Sequence, residues 1–168
     1  MLFEKIKKGE MMKPAVIGMS AKIGAMLLLL WGILHIWVGA EGIHQYLGGD
    51  VQSQWNMLLG GVNGVKGTFQ FASDQMTSTI HSRLLINFCL DVGGYGVLAV
   101  FLSSMLWKQG SWLAYWITLL VIGIGDLAFL FNMLLSGIIE LNVGTIGGPV
   151  LWFIVISITP TGLIKVKR

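Results

Sequence analysis

Three ionisable residues, His35, Asp91 and Asp126, lie inside stretches that are otherwise apolar enough to cross a membrane. A charged group at the centre of a bilayer costs about 3 kcal/mol on insertion scales, so such residues normally face a bundle interior, a partner or a water-filled cavity. An imidazole and two carboxylates could relay protons or hold a cation. We therefore expect all three side chains to face the interior of a helical bundle, and none to face lipid.

Further polar side chains share a helical face with Asp91. Asn87 lies one helical turn before this residue and Tyr95 one turn after it, and residues four apart in a helix are neighbours on its surface. The sequence thus predicts a buried polar cluster that is a candidate proton, ion or ligand site. Its members are His35, Asp91, Asp126, Asn87 and Tyr95.

Glycines accompany the histidine in the first apolar stretch. Gly32, Gly39 and Gly42 recur with His35 at helical spacing. Small residues let membrane helices approach closely, so this pattern predicts a packing face that contains the imidazole.

The polar cluster has a structural alternative, since interhelical hydrogen bonds contribute around 0.6 kcal/mol each and would hold the helices in register. A metal centre at His35, Asp91 and Asp126 is the weaker chemical alternative, because metal sites usually show closely spaced ligands such as paired histidines. A bis-histidine haem site needs a second deep histidine, and His44 and His81 lie outside the apolar stretches. No cofactor follows from the sequence.

Other ionisable residues are predicted at the outer rim of the bundle, whereas its inner half contains almost none. Polarity graded in this way is expected for a cavity that opens to the exterior. The rim residues are Glu41, His44, His81, Arg83 and Glu140.

The elements that must position these residues are membrane-spanning helices. The chain has 168 residues, 55% hydrophobic and only 11% charged, against about 25% charged in a typical soluble domain. Each of four apolar stretches can cross a core of about 30 Å as a helix. We predict an all-α membrane protein, a single-domain bundle of four transmembrane helices at 15–40, 84–107, 112–137 and 143–164.

Basic residues predict the orientation of the bundle. With four spans, nine lysines and arginines fall on one side and only Lys66 and Arg83 on the other. The positive-inside rule then places 1–14 and the basic tail 165–168 in the cytoplasm, and the long loop 41–82 outside. We expect a multi-pass protein of a prokaryotic inner or plasma membrane. Basic residues at the chain ends indicate topology and not a nucleic-acid partner.

Motifs of soluble enzymes are absent: the chain has no P-loop, GxSxG, HExxH or CxxC sequence. Its long loop and glycine-rich faces favour an accessory or anchor subunit of a larger membrane complex, with lipids and other membrane subunits as partners. One alternative is a membrane enzyme or carrier for a lipid-like or small cationic ligand. Another is a proton or ion conduit through the polar cluster.

Overall fold

The computed structural model describes residues 16–49, 53–55, 70 and 72–163, and this part of the chain is helical, without strands. Four helices are long and apolar enough to cross a membrane. The first is α1 (Met19–Leu47), the second α2 (Gln75–Gln109) and the fourth α5 (Val143–Gly162). The third span, Trp112–Leu134, joins α3 (Trp112–Ile117), π1 (Thr118–Ile122), α4 (Gly123–Phe129) and π2 (Leu130–Leu134). The predicted terminal segments 1–14 and 165–168, and residues 50–52, 56–69 and 71 of the predicted loop, lie outside the described residues.

Two helices run beyond the apolar stretches that predict them. α1 continues past Ala40 to Leu47, and α2 begins at Gln75, well before Leu84. An apolar pattern marks the part of a helix that suits lipid, whereas the helix itself ends where its backbone groups are capped. The α2 cap is Asp74, whose side chain accepts a hydrogen bond from the Thr77 N–H at 2.8 Å.

α1 packs against both α2 and α5, and glycines set how closely it meets α2. A Cβ on Gly39 would lie 2.6 Å from the Cys89 carbonyl oxygen, and one on Gly96 would lie 2.6 Å from that of Gly32. These distances leave no room for a side chain, so the two backbones are in direct contact. The predicted packing role of Gly32 and Gly39 is confirmed.

A two-residue turn joins α2 to the third span. Gly110 adopts a left-handed conformation with φ 55°, and its N–H bonds the Leu106 carbonyl. The Ser111 hydroxyl then accepts from the Ala114 N–H at 3.2 Å and starts the next helix. We call this the hairpin end of the bundle, and the opposite end, where α1 finishes and α2 begins, the loop end. Lys22 belongs to the hairpin end, because its Nζ lies 5.5 Å from the ring centroid of Trp107.

The third span changes neighbour along its length. Its first segments, α3 and π1, contact α2 and are also hydrogen-bonded to α5, whereas α4 and π2 pack on α5. At the hairpin end a core forms from all four spans, including Leu28, Leu102, Ile122 and Val155. The second and third spans therefore separate towards the loop end.

Candidate functional site

The site begins with two stacked rings on α1. The imidazole of His35 lies on the indole of Trp31, with ring centroids 3.5 Å apart and planes inclined by 17°. His35 Nδ1 lies 2.8 Å from the Trp31 carbonyl oxygen, one turn earlier on the helix. An N–H at Nδ1 donates this hydrogen bond, so in the neutral ring Nε2 is left as an acceptor.

Asp126 reaches the same place from the third span. It lies on α4, between the two π-helical segments, and its side chain is only 5% exposed. π-helical turns within α-helices are frequent at functional sites, because the extra residue redirects side chains. Asp126 thus points into the bundle although apolar residues precede and follow it.

Gly148 of α5 leaves the space in which the two groups meet. A Cβ at this position would lie 3.2 Å from His35 Cε1, 3.5 Å from His35 Nε2 and 3.4 Å from Asp126 Oδ1. An alanine methyl would already press on the His35 ring and would be in van der Waals contact with the Asp126 carboxyl. Three of the four spans therefore form this site. α1 provides His35, the third span provides Asp126, and α5 leaves room for both because Gly148 has no side chain.

Two buried polar atoms at this point have no hydrogen-bond partner, Nε1 of Trp31 and Oδ2 of Asp126. The Trp31 indole lies close enough to the Asp126 carboxyl to interact with it, yet the pair does not reach hydrogen-bond geometry. Buried polar groups in native proteins are nearly always satisfied by protein or ordered water. A donor N–H, an acceptor nitrogen and a carboxyl group around one point could hold a water molecule or exchange a proton.

The prediction that Asp91 faces the interior is wrong. Asp91, Asn87 and Tyr95 are all exposed on the surface of α2. The helical face is nevertheless the expected one, because Asp91 precedes Leu102 by eleven residues, about three turns. Leu102 is buried in the core with Ala114 of the third span. Near Asp91 the third span packs on α5 without covering α2, so the same face of α2 is left uncovered.

The predicted cluster is therefore divided. His35 and Asp126 come together, and Asn87, Asp91 and Tyr95 lie apart from them on an exposed face. Among the described residues no three His, Cys, Asp or Glu side chains are grouped so that they could hold a metal ion. The set His35, Asp91 and Asp126 consequently does not form the metal site considered from the sequence.

The predicted rim residues lie at the loop end but do not form one cluster. Glu41 Oε2 lies 3.6 Å from His44 Nδ1 and its Oε1 accepts from Gln45 Nε2 at 2.6 Å. His81 meets Trp55 edge to face, with ring centroids 6.1 Å apart. Arg83 lines a cleft between α1 and α2, and Glu140 is exposed before α5.

The cluster predicted from the sequence did not include two members of the interior site, Trp31 and Gly148. Trp31 lies one turn before His35, and that spacing could have indicated the stack. The sequence does not distinguish Gly148 from its neighbour Gly147. Only the structure shows that a Cβ on Gly147 would meet nothing within 4 Å, whereas one on Gly148 would contact His35 and Asp126. Gln54, in the helical turn 53–55, was also missed: it is fully buried, and its Nε2 donates to the Gly42 carbonyl at 3.2 Å.

Fold and composition together define a small multi-pass membrane protein with a polar site between its helices. No protein-family model, no curated protein and no solved structure matches the chain.

Proposed function

We propose that this protein is an accessory subunit of a larger membrane complex, and that a partner covers the exposed face of α2 around Asp91. The observation that supports this role is an ionisable side chain on the outward surface of a span, well inside its apolar part. Lipid contact at that depth is costly for a carboxyl group. A partner helix that satisfies the carboxyl removes this cost, so association is favoured over the isolated chain.

The shape of this surface suits a helix. We call it the Asp91 face and define it as Asn87, Asp91, Gly94 and Tyr95. A Cβ on Gly94 would meet nothing within 4 Å, so this glycine serves no contact within the described chain and leaves room for a neighbouring backbone. Close approach at a small residue, with polar side chains on either side, is typical of helix association in membranes.

The chemistry of the face indicates what the partner offers. Asp91 brings acceptor oxygens, whereas the amide of Asn87 and the hydroxyl of Tyr95 can both donate and accept. A complementary helix therefore carries hydrogen-bond donors, such as hydroxyl or amide side chains or a cation, at the level of Asp91. Because the second and third spans separate there, such a helix would lie between them.

Photo-crosslinking in native membranes tests this role. The probe is p-benzoylphenylalanine at the position of Tyr95, and the matched control is the same group at Phe153, an aromatic residue 44% exposed on α5. We expect a discrete adduct with a different protein from Tyr95, none from Phe153, and loss of the Tyr95 adduct in an Asp91→Leu background. Adducts with lipid alone, or only with a second copy of this chain, would overturn the accessory role.

A second candidate function, proton conduction, is supported by the unpartnered atoms of Trp31 and Asp126 beside His35. Ionisable residues within a membrane bundle often mark proton pathways. The test is proton uptake by liposomes that contain the purified protein, driven by a potassium diffusion potential. We expect Asp126→Asn to abolish uptake and Glu140→Gln, an exposed carboxylate at the loop end, to leave it unchanged. Equal uptake in liposomes without the protein would exclude conduction.

A further inference from the structure

We propose that a cleft at the loop end binds a phosphate group, as the headgroup of a membrane lipid or as a free anion. The cleft has a volume of about 410 Å³ and lies between the last turns of α1 and the first turns of α2. Its lining consists of Tyr46, Leu47, Ser78, Thr79, Ser82 and Arg83. Four of these residues lie on α2 as two pairs spaced by four, Ser78 with Ser82 and Thr79 with Arg83, so they form one continuous face.

The charge in the cleft comes from Arg83. Its guanidinium is permanently charged, and it forms no ion pair with any residue that the structure describes. Two carboxylates of the loop end are engaged elsewhere: Glu41 lies 3.6 Å from His44 and accepts from Gln45, and Asp74 accepts from the Thr77 N–H. Among the residues that the structure describes, no acidic side chain lines the cleft. An anion is therefore favoured there over a cation.

The other polar side chains of the lining are hydroxyls, which can donate hydrogen bonds. Thr79 uses its hydroxyl to bond the Gln75 carbonyl at 2.8 Å, whereas the hydroxyls of Ser78, Ser82 and Tyr46 have no partner within the described part of the chain. A guanidinium with several hydroxyls matches a phosphate, which carries three or more acceptor oxygens and accepts a bidentate pair of bonds from arginine. The volume is within the usual range for small-ligand sites.

The position of the cleft along the span favours a lipid as the source of the phosphate. Arg83 immediately precedes the apolar stretch 84–107, which at about 1.5 Å per residue is long enough to cross the hydrocarbon core. Arg83 is then at the level of the lipid headgroups. Large apolar side chains next to the cleft are exposed, among them Leu47, Ile80 and Leu84, and they could receive acyl chains.

Native mass spectrometry of the purified full chain in mild detergent tests the proposal with three probes. These are dioleoyl phosphatidic acid, dioleoylglycerol, which has the same chains without the phosphate, and inorganic phosphate. We expect phosphatidic acid to be retained and dioleoylglycerol to be lost. Arg83→Gln should weaken phosphatidic acid binding by about tenfold or more, since a charge-assisted bond is removed, and Arg83→Lys should weaken it less.

The matched control is Lys108→Gln, which removes an exposed basic residue from the last turn of α2, at the hairpin end. It should leave binding unchanged. A double variant, Ser78→Ala with Ser82→Ala, tests the hydroxyl groups separately. It should weaken phosphatidic acid binding although the charge of Arg83 is kept. Binding of inorganic phosphate with the same dependence on Arg83 would support the site with a free anion as its ligand. Equal retention of dioleoylglycerol, or equal losses in Arg83→Gln and Lys108→Gln, would overturn the proposal.

Discussion

His35 lies flat on Trp31 and is also hydrogen-bonded to the backbone carbonyl of that residue, at 2.8 Å from Nδ1. The stack fixes the plane of the imidazole and the hydrogen bond fixes which nitrogen is left free. Nε2 is consequently held towards Gly148 and Asp126. A ring fixed in this way is preorganised for a ligand or a proton, because little rotamer entropy is lost on binding.

The packing around Gly148 predicts different effects for alanine at two adjacent glycines. In Gly148→Ala the new methyl would lie 3.2 Å from His35 Cε1, and overpacking typically costs about 1–3 kcal/mol. In Gly147→Ala the methyl meets nothing within 4 Å, and the higher helix propensity of alanine stabilises the helix by about 1 kcal/mol. We expect a lower apparent Tm in detergent for the first variant only. Equal Tm values would contradict the position of His35 and Asp126 around Gly148.

Replacing Asp126 tests whether the interior site stabilises the fold. Its Oδ2 has no partner, and a buried polar atom left unpaired costs about 1–3 kcal/mol. Asp126→Leu should therefore leave the free energy of unfolding unchanged or raise it. The matched control is Tyr115→Phe, which removes a hydroxyl that is paired with the Ile156 carbonyl, and which should lower stability. A large loss of stability in Asp126→Leu would show that the carboxyl holds the helices together.

Much of the fold follows from the sequence, since span length and apolar composition are local properties. Trp31 and Trp152 lie well inside their apolar stretches, a position that favours packing within the bundle, and both are buried. Whether another helix covers Asp91 could not be predicted. The sequence of α2 determines which residues share a face with Asp91, but the helix that packs on this face depends on the course of the third span. Two π-helical segments flank the helix that carries Asp126, and the residue inserted by such a turn gives no signal in an apolar stretch.

The contact between α1 and α2 predicts a large effect for a single methyl group. A Cβ on Gly39 would lie 2.8 Å from the Cα of Gly93, so Gly39→Ala forces two backbones apart. The matched control is Gly125→Ala, where a Cβ meets nothing within 4 Å. We expect Gly39→Ala to lower the Tm and to increase hydrogen exchange along both helices. The same result from Gly125→Ala would show that loss of glycine, and not loss of contact, is responsible.

The start of α2 should depend on pH through its cap. Hydrogen bonds from Thr77 hold the pKa of Asp74 below its usual range. Because the folded pKa is lowered, the cap contributes fully above the unfolded pKa and is lost as pH falls through the folded value. We expect the exchange protection of the Thr77 amide, corrected for intrinsic rates, to fall in acid. In Asp74→Asn it should vary little with pH, since asparagine caps without ionising, and in Asp74→Ala it should be low throughout.

A double-mutant cycle should show that Pro160 and Tyr115 act together. Proline has no N–H, so the Ile156 carbonyl four residues earlier lacks its helical partner. The Tyr115 hydroxyl donates to this carbonyl at 3.2 Å, which links α3 to α5. In Pro160→Ala the restored N–H can bond the carbonyl within the helix. We expect Tyr115→Phe to cost about 1 kcal/mol in the wild-type background and clearly less in Pro160→Ala. Additive effects would mean that the hydroxyl does not compensate for the proline, because independent sites show no coupling energy in such a cycle.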